Sequence, residues 1–203
     1  MSARIEAMRA DIQSKITVLI ADFSAGKISN EQFNLIYGRY HNQLSLVEMA
    51  LDEDRPQYNA VNTIDILHGT QGRALGLSLY HHGSGTTIET LGQFSLAPEV
   101  SAPILNDFSL RVEGQEFIEP VIKKMSSGSW VAFIARQYTT LMVLFSHEPS
   151  RLQMRQMERL HHDFEEANKR YLTRFTIDPT QLARPFVGFI KERTVSSNVN
   201  GSV

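Results

Sequence analysis

Two short runs of consecutive apolar residues stand out along the chain, Trp-Val-Ala-Phe-Ile-Ala at 130–135 and Leu-Met-Val-Leu-Phe at 141–145. Strands without polar alternation are covered on both faces. The few residues between the two runs suit an antiparallel hairpin. The pattern therefore predicts two strands of a sheet that lies between helical layers.

A long amphipathic helix is predicted directly after the second run. Ser150 and Gln153 have the spacing of a capping box, and apolar residues then recur every three or four positions from Met157 to Tyr171. Such a stripe covers one side of a helix, so this helix is expected to lie on the sheet. Its acidic residues, among them Asp163 and Glu165, are expected to face solvent.

Two more helices are predicted before residue 54. Apolar residues recur at helical spacing from Ile5 to Phe23, and Gly26 suits the end of that helix. A second capping box, Ser29 with Gln32, begins the next stripe. The two helices form an antiparallel hairpin with one apolar face each. This hairpin either covers the core of the same chain or packs on another molecule, and the sequence leaves both possibilities open.

Residues 52–98 predict a linker, a helix and two strands. The charged stretch 52–56 ends in a proline and marks a domain boundary, and a helix is expected over 57–67. Leu75, Leu77 and Leu79 alternate with smaller residues such as Gly76, which predicts a strand whose small face lies under a helix. A second strand over 86–94 follows a glycine-rich turn at 83–85.

A helix is predicted from Pro98, with Val100, Ile104, Leu105 and Phe108 on its apolar side. The segment 115–125 predicts either a strand or a short helix. Because a strand tolerates proline mainly at a sheet edge, Pro120 would place such a strand at the edge.

The fold class that follows is α+β, an N-terminal antiparallel helical hairpin and then a central antiparallel sheet flanked by helices. The predicted organisation is a hairpin over 1–54, a sheet-and-helix domain over 55–175, and a partly disordered C-terminal extension over 176–203.

The order of elements after residue 57 resembles the roadblock and dynein light-chain family of the longin and profilin-like superfamily. The residues that carry the likeness are 72–79, leading to Gly83, and 130–145, leading to the helix from Ser150. The resemblance implies a roadblock-like, profilin-like platform that forms homodimers, binds or regulates small GTPases and scaffolds complexes.

Composition adds little that points to chemistry. The formal net charge of −2 gives no reason to expect nucleic acid as a partner. The chain has no cysteine, which excludes thiol nucleophiles and disulfides. No apolar run reaches the roughly 18 residues of a membrane span. The expectation is a soluble, cytoplasmic protein without a membrane span.

The motifs that could indicate catalysis or metal binding lack the geometry or the residues that these functions need. Adjacent histidines at 81–82 and 161–162 diverge on a strand or a helix, so neither pair is a chelate. The stretch Gly83–Thr87 lacks the Lys-Ser/Thr ending of a phosphate-binding loop and is typical of a hairpin turn. No catalytic, cofactor-binding or metal-binding residue and no cofactor are therefore predicted.

Three functions remain as hypotheses. The first is a non-enzymatic interaction or scaffold module, a partner of a small GTPase whose hairpin mediates self-association into a homo-oligomer. The second is a small-molecule sensor of the GAF or PAS kind, which needs a ligand-sized cavity under the sheet. The third is an enzyme with a site built from His81, His147 and Arg136. The first hypothesis is preferred, and its predicted interaction residues are Ile12, Leu19, Phe33, Tyr40, Leu44, Val100 and Ile104.

Overall fold

The computed structural model describes residues 2–53 and 72–186. The helices are α1 (Ser2–Ser24), α2 (Asn30–Glu53), α3 (Pro98–Glu113) and α4 (Arg151–Leu172), with a 3-10 turn at Pro179–Gln181. The strands are β1 (Ala74–His81), β2 (Thr86–Gly92), β3 (Val121–Lys124), β4 (Trp130–Ala135) and β5 (Thr139–Phe145). The predicted α+β class is confirmed. The helix predicted over 57–67 lies outside the described residues.

The five strands form one antiparallel sheet in the order β2-β1-β5-β4-β3. The two predicted hairpins, β1–β2 and β4–β5, lie side by side because β1 pairs with β5. Leu77 stands opposite Val143 at this junction, and Ala132 stands opposite Val143 on the other side of β5. β5, which is buried along nearly its whole length, therefore occupies the centre of the sheet.

Each face of the sheet packs against helix, as the uninterrupted apolar runs predict. On one face, Leu105 and Phe108 of α3 pack against Val131, Phe133 and Met142. The other face contributes to a larger core with α4, α1 and α2, whose members include Leu77, Leu79, Val143, Met157, Leu160 and Phe164. Alternate residues of β4 and β5 therefore enter different cores.

The helical hairpin packs on the outer side of α4. Ile12, Ile16 and Phe23 of α1, with Phe33 and Tyr37 of α2, are buried in the larger core. The Tyr37 hydroxyl donates to Asp163 Oδ2, and Arg159 Nη1 lies 2.6 Å from Glu48 Oε1. The hairpin thus covers the core of its own chain, which is one of the two possibilities left open by the sequence.

Local helix signals in the sequence are confirmed. Both predicted capping boxes form, with the Ser29 backbone N–H donating to Gln32 Oε1 at 2.9 Å and the Ser150 N–H to Gln153 Oε1 at 2.9 Å. Gly26 adopts φ +73° after α1, the left-handed conformation that glycine adopts most readily.

The chain after α4 folds back against the hairpin and α4. The Ala183 backbone N–H donates to Asn168 Oδ1 at 2.7 Å, and Asn168 Nδ2 donates to the Ala183 carbonyl at 2.9 Å. Leu182, Ala183 and Phe186 are buried. The part of the predicted C-terminal extension that is described, 176–186, is therefore docked. Residues 187–203 lie outside the described residues.

Within the segment 115–125, Val121–Lys124 forms a strand and residues 115–120 are irregular or turn. β3 begins directly after Pro120 and pairs only with β4 among the described strands. Proline has no backbone N–H to donate to a neighbouring strand, so its place just before an edge strand agrees with the prediction.

The expectation that the small face of β1 lies under a helix is wrong at Gly76. A Cβ atom at Gly76 would stand 2.5 Å from the carbonyl carbon of Gln93, which follows β2. Backbone crossing closely over β1 is what requires glycine here.

Replacement of Gly76 by alanine should therefore destabilise the protein by about 2 kcal/mol or more, because two backbone segments would have to separate. Gly38→Ala is the matched control: nothing lies within 4 Å of a Cβ at this helical site, and alanine favours helix by about 1 kcal/mol. Denaturant unfolding at a protein concentration low enough to keep the chain monomeric checks both. Equal stability of the two variants would contradict the close approach at Gly76.

Candidate functional site

Polar side chains converge at the turn between β4 and β5. Glu165 of α4 accepts three hydrogen bonds there through Oε1, from the Tyr138 N–H at 3.0 Å, the Thr139 N–H at 2.8 Å and the Thr139 hydroxyl at 2.8 Å. Glu165 is buried. The expectation that the acids of this helix face solvent is wrong for Glu165 and for Asp163, which is also buried.

The same hydroxyl fixes the state of His161. Because the Thr139 hydroxyl donates to Glu165, it accepts from His161 Nε2–H at 2.7 Å. This assigns the proton to Nε2 and leaves Nδ1 bare, without a hydrogen-bond partner among the described residues. Burial, and then the positive charge of Arg136, hold the pKa of His161 well below its usual value. His161 is therefore a neutral donor inside the core.

Arg136 forms the outer part of this cluster. Its Nη2 lies 2.8 Å from His162 Nδ1, and its Nε lies 3.7 Å from Glu165 Oε2. Burial raises the pKa of Glu165, and its hydrogen bonds and Arg136 oppose that rise. General acid–base chemistry at Glu165 would break the bonds that hold the turn on α4. The geometry therefore supports a structural role for the cluster.

The histidines at the end of β1 are bound to their surroundings. His81 Nδ1 contacts Ser84 Oγ at 2.9 Å, and its Nε2 contacts the Leu172 carbonyl at 2.9 Å. His82 Nδ1 lies 3.0 Å from Ser109 Oγ, and burial lowers the pKa of His82 to about 4. The two rings tie the β1–β2 turn to α4 and to α3. No group of three metal-binding side chains occurs within residues 2–53 and 72–186.

The residues of the enzyme hypothesis do not meet. His81 pairs in register with Thr139, and Arg136 bonds to Thr139 through its backbone, so both lie at the start of β5. His147 follows the opposite end of β5. A seven-residue strand spans about 20 Å, so these three side chains do not share one cleft.

Most of the predicted interaction residues lie inside the chain's own core. Ile12, Leu19, Phe33 and Leu44 are buried, and a partner cannot reach them in this arrangement. Tyr40 is partly buried against the same core, and Ile104 is partly buried against the core under α3. Val100 is also half-buried. The apolar stripes predicted burial correctly, but the burial is within one molecule.

The large apolar residues that remain accessible in the described ranges are not among the predicted interaction residues. Exposed large apolar side chains in the described ranges form two main groups, one on the hairpin and one between α3 and β3. The hairpin group is Met8, Val18, Leu35, Leu46 and Met49, and the second group is Leu110 and Phe117. Ile122 of β3 is also exposed but stands opposite Ala132, so its side chain lies on the α4 side of the sheet. For Val18, Leu35, Leu46, Met49 and Leu110 the available signal was spacing, since these residues are out of phase with the buried residues of their helices. Met8 is in phase with the buried stripe of α1, and Phe117 lies in a loop, so spacing does not mark either as accessible.

The second group lies beside a free sheet edge. Arg111 of α3 donates from Nη2 to the Phe117 carbonyl at 3.0 Å and from Nε to Glu116 Oε2 at 3.1 Å. These bonds hold the loop at the end of α3, with the Phe117 ring 83% exposed. β3 follows, with Lys123 and Lys124 exposed. We call Leu110, Phe117 and the β3 edge the α3–β3 surface.

Comparisons with protein-family models, with curated proteins and with solved structures found no match. Among the described helices, none combines the length and apolar character needed to cross a membrane.

Buried histidines should make stability fall in mild acid. Burial, and then the charge of Arg159, lower the pKa of His41 to about 4, whereas an unfolded histidine titrates near 6.5. The unfolded chain therefore binds more protons below pH 6.5, and the stabilisation by neutral His41 is lost as the pH falls from there towards 4. This loss is about 2 kcal/mol between pH 7 and pH 5.

The contribution of His41 can be isolated by comparing the wild-type chain with His41→Gln in urea unfolding at pH 7 and pH 5. Asp163 and Glu165, whose pKa values burial raises, favour the folded state as the pH falls and act equally in both proteins. Between pH 7 and pH 5, the free energy of unfolding should fall by about 2 kcal/mol less in the variant than in the wild type. Identical pH dependence would contradict a neutral, buried His41.

Proposed function

We propose that this protein is a non-catalytic interaction module whose partner docks on the α3–β3 surface. The observation that supports the proposal is the Phe117 ring, held out from the fold by hydrogen bonds to its own loop. Aromatic side chains displayed in this way are common anchors of protein interfaces.

The surroundings of Phe117 suit a protein partner. Leu110 is 69% exposed on the last turns of α3, which extends the apolar area. The outer edge of β3 has no strand against it among the described residues, so its backbone groups can pair with an added strand. Together they offer side-chain and main-chain contacts.

The charge of this surface is mixed. Lys123 and Lys124 are exposed on the edge strand, but Arg111 is paired with Asp107 and Glu116. Glu113 and Glu119 are exposed in the same segment, so the apolar side chains and the free strand edge support docking here, and net charge does not. The resemblance to roadblock proteins supports a small GTPase as the partner class, and scaffolding of that partner as the role.

The alternative of a small-molecule sensor requires a cavity of several hundred Å3 under the sheet. Under α3, Val131, Phe133 and Met142 pack directly against Leu105 and Phe108. This packing favours the interaction module.

Self-association is the second part of the proposal. It requires hairpin residues other than the buried stripe, because Ile12, Leu19, Phe33 and Leu44 are buried in the chain's own core.

Capture of partners from the native host, read by mass spectrometry, tests the α3–β3 surface. Phe117→Ser with Leu110→Ser should reduce recovery of the specific partner at least tenfold, because an interface anchor contributes about 2 kcal/mol or more. Partners should include a small GTPase, and the purified pair should reproduce the loss.

Phe175→Ser is the matched control, since Phe175 is also exposed, at 76%, but lies after α4. Unfolding curves of all variants should coincide with that of the wild type. Undiminished binding by the double variant would contradict docking at this surface.

A further inference from the structure

Helix α2 carries a second apolar stripe on the side away from the core. Leu35, Leu46 and Met49 are 77%, 68% and 39% exposed. Their separations of eleven and three residues place them on one face of the helix, and Asn42 lies between them on that face. The buried stripe of Phe33, Tyr37 and Leu44 lies on the opposite side. The outward stripe therefore has no role in the core of its own chain.

A glycine interrupts α2 beside this stripe. Gly38 stands within a helix of 24 residues, where glycine costs about 1 kcal/mol relative to alanine. Nothing lies within 4 Å of the position of a Cβ atom there, and its φ is not positive. Neither packing within the chain nor backbone conformation requires glycine, so the open space is available to an atom from another molecule.

We propose that the outer face of α2 pairs with the same face of a second copy of this chain, antiparallel about a two-fold axis at Asn42. This register sets Leu35 of each copy against Met49 of the other. It also sets Leu46 of each copy into the space at Gly38. A two-fold contact needs a self-complementary surface, and this stripe is one: its large residues face a smaller or flexible one across the axis.

The extent of the face suits a transient dimer. α2 has 24 residues and is about 35 Å long and about 10 Å wide, so its outer face measures roughly 350 Å2 in projection. This is below the ~800 Å2 that each partner buries in a standard interface and is typical of small, transient contacts.

The stripe itself carries no charge, since Leu35, Asn42, Leu46 and Met49 are all uncharged. An uncharged stripe gives no basis for selecting an oppositely charged molecule. A second copy likewise sets no charged side chain of its own stripe against this one.

This inference rests on the part of the proposed function that assigns self-association to the hairpin, and it replaces the buried residues first predicted for that role. It is independent of partner binding at the α3–β3 surface.

Sedimentation equilibrium of the full chain over about 1–100 μM tests the interface. The wild-type chain should be dimeric, and Leu46→Glu should raise the dissociation constant at least a hundredfold by placing a charge in the space at Gly38. Leu110→Glu is the matched control, because Leu110 and Leu46 are almost equally exposed, at 69% and 68%. The control should remain dimeric, and neither variant should unfold more easily as a monomer.

Single cysteines test the register, since the natural chain has none. Helices that pack with axes 8–10 Å apart bring residues at a two-fold axis within disulfide reach. Asn42→Cys should therefore crosslink to itself on mild oxidation. Leu35→Cys should crosslink to Met49→Cys in a mixture but form little disulfide alone. Leu110→Cys should stay unlinked.

The results distinguish self-association in general from pairing through the outer face of α2. A monomeric wild-type chain at 100 μM, about the weak limit for a specific dimer, overturns self-association altogether. A wild-type dimer that survives Leu46→Glu, or that crosslinks through Leu110→Cys, overturns this face while leaving self-association standing. A dimer lost with Leu46→Glu, together with the Asn42 crosslink, supports both.

Discussion

The burial of α4 between the sheet and the N-terminal hairpin is the constraint on which the rest of the structure depends. A helix covered on both sides needs partners for its polar groups, because an unpaired buried group costs about 1–3 kcal/mol. α4 finds them in four different parts of the chain, and His161 Nδ1 is the exception among the groups described above. Gln153 donates to the Gly72 carbonyl, Asp163 accepts from Tyr37, Glu165 accepts from the β4–β5 turn, and Asn168 binds Ala183. These bonds set the positions of the elements around α4.

This arrangement explains why titratable residues gather without forming an obvious reactive site. The Thr139 hydroxyl joins His161 and Glu165 where α4 crosses the β4–β5 turn. His81 likewise joins the β1–β2 turn to the end of α4 through the Leu172 carbonyl. The polar groups act as links between layers. What remains accessible is apolar surface on the hairpin and between α3 and β3, which is the kind of surface that binds other proteins.

The sequence predicts well those features that neighbouring residues determine. The Ser29 and Ser150 capping boxes form as the spacing requires, and the uninterrupted run around Phe133 predicts a strand covered on both faces. Sequence periodicity shows that Phe33 is buried, but it does not show against which molecule. The same limit applies to Asp163 and Glu165, whose acidic character predicts exposure, whereas their partners are distant in sequence. Gly76 is small because backbone after β2 crosses it, which only the folded chain reveals.

The central claim, that the hairpin packs on α4 of its own chain, is tested most directly by a double-mutant cycle on Tyr37 and Asp163. Tyr37→Phe, Asp163→Ala and the double variant would be unfolded in urea at a protein concentration low enough to keep the chain monomeric. A buried hydrogen bond between α2 and α4 predicts a coupling free energy of about 1–3 kcal/mol and a single cooperative transition. A coupling below about 0.3 kcal/mol, or separate unfolding of the hairpin, would contradict the account.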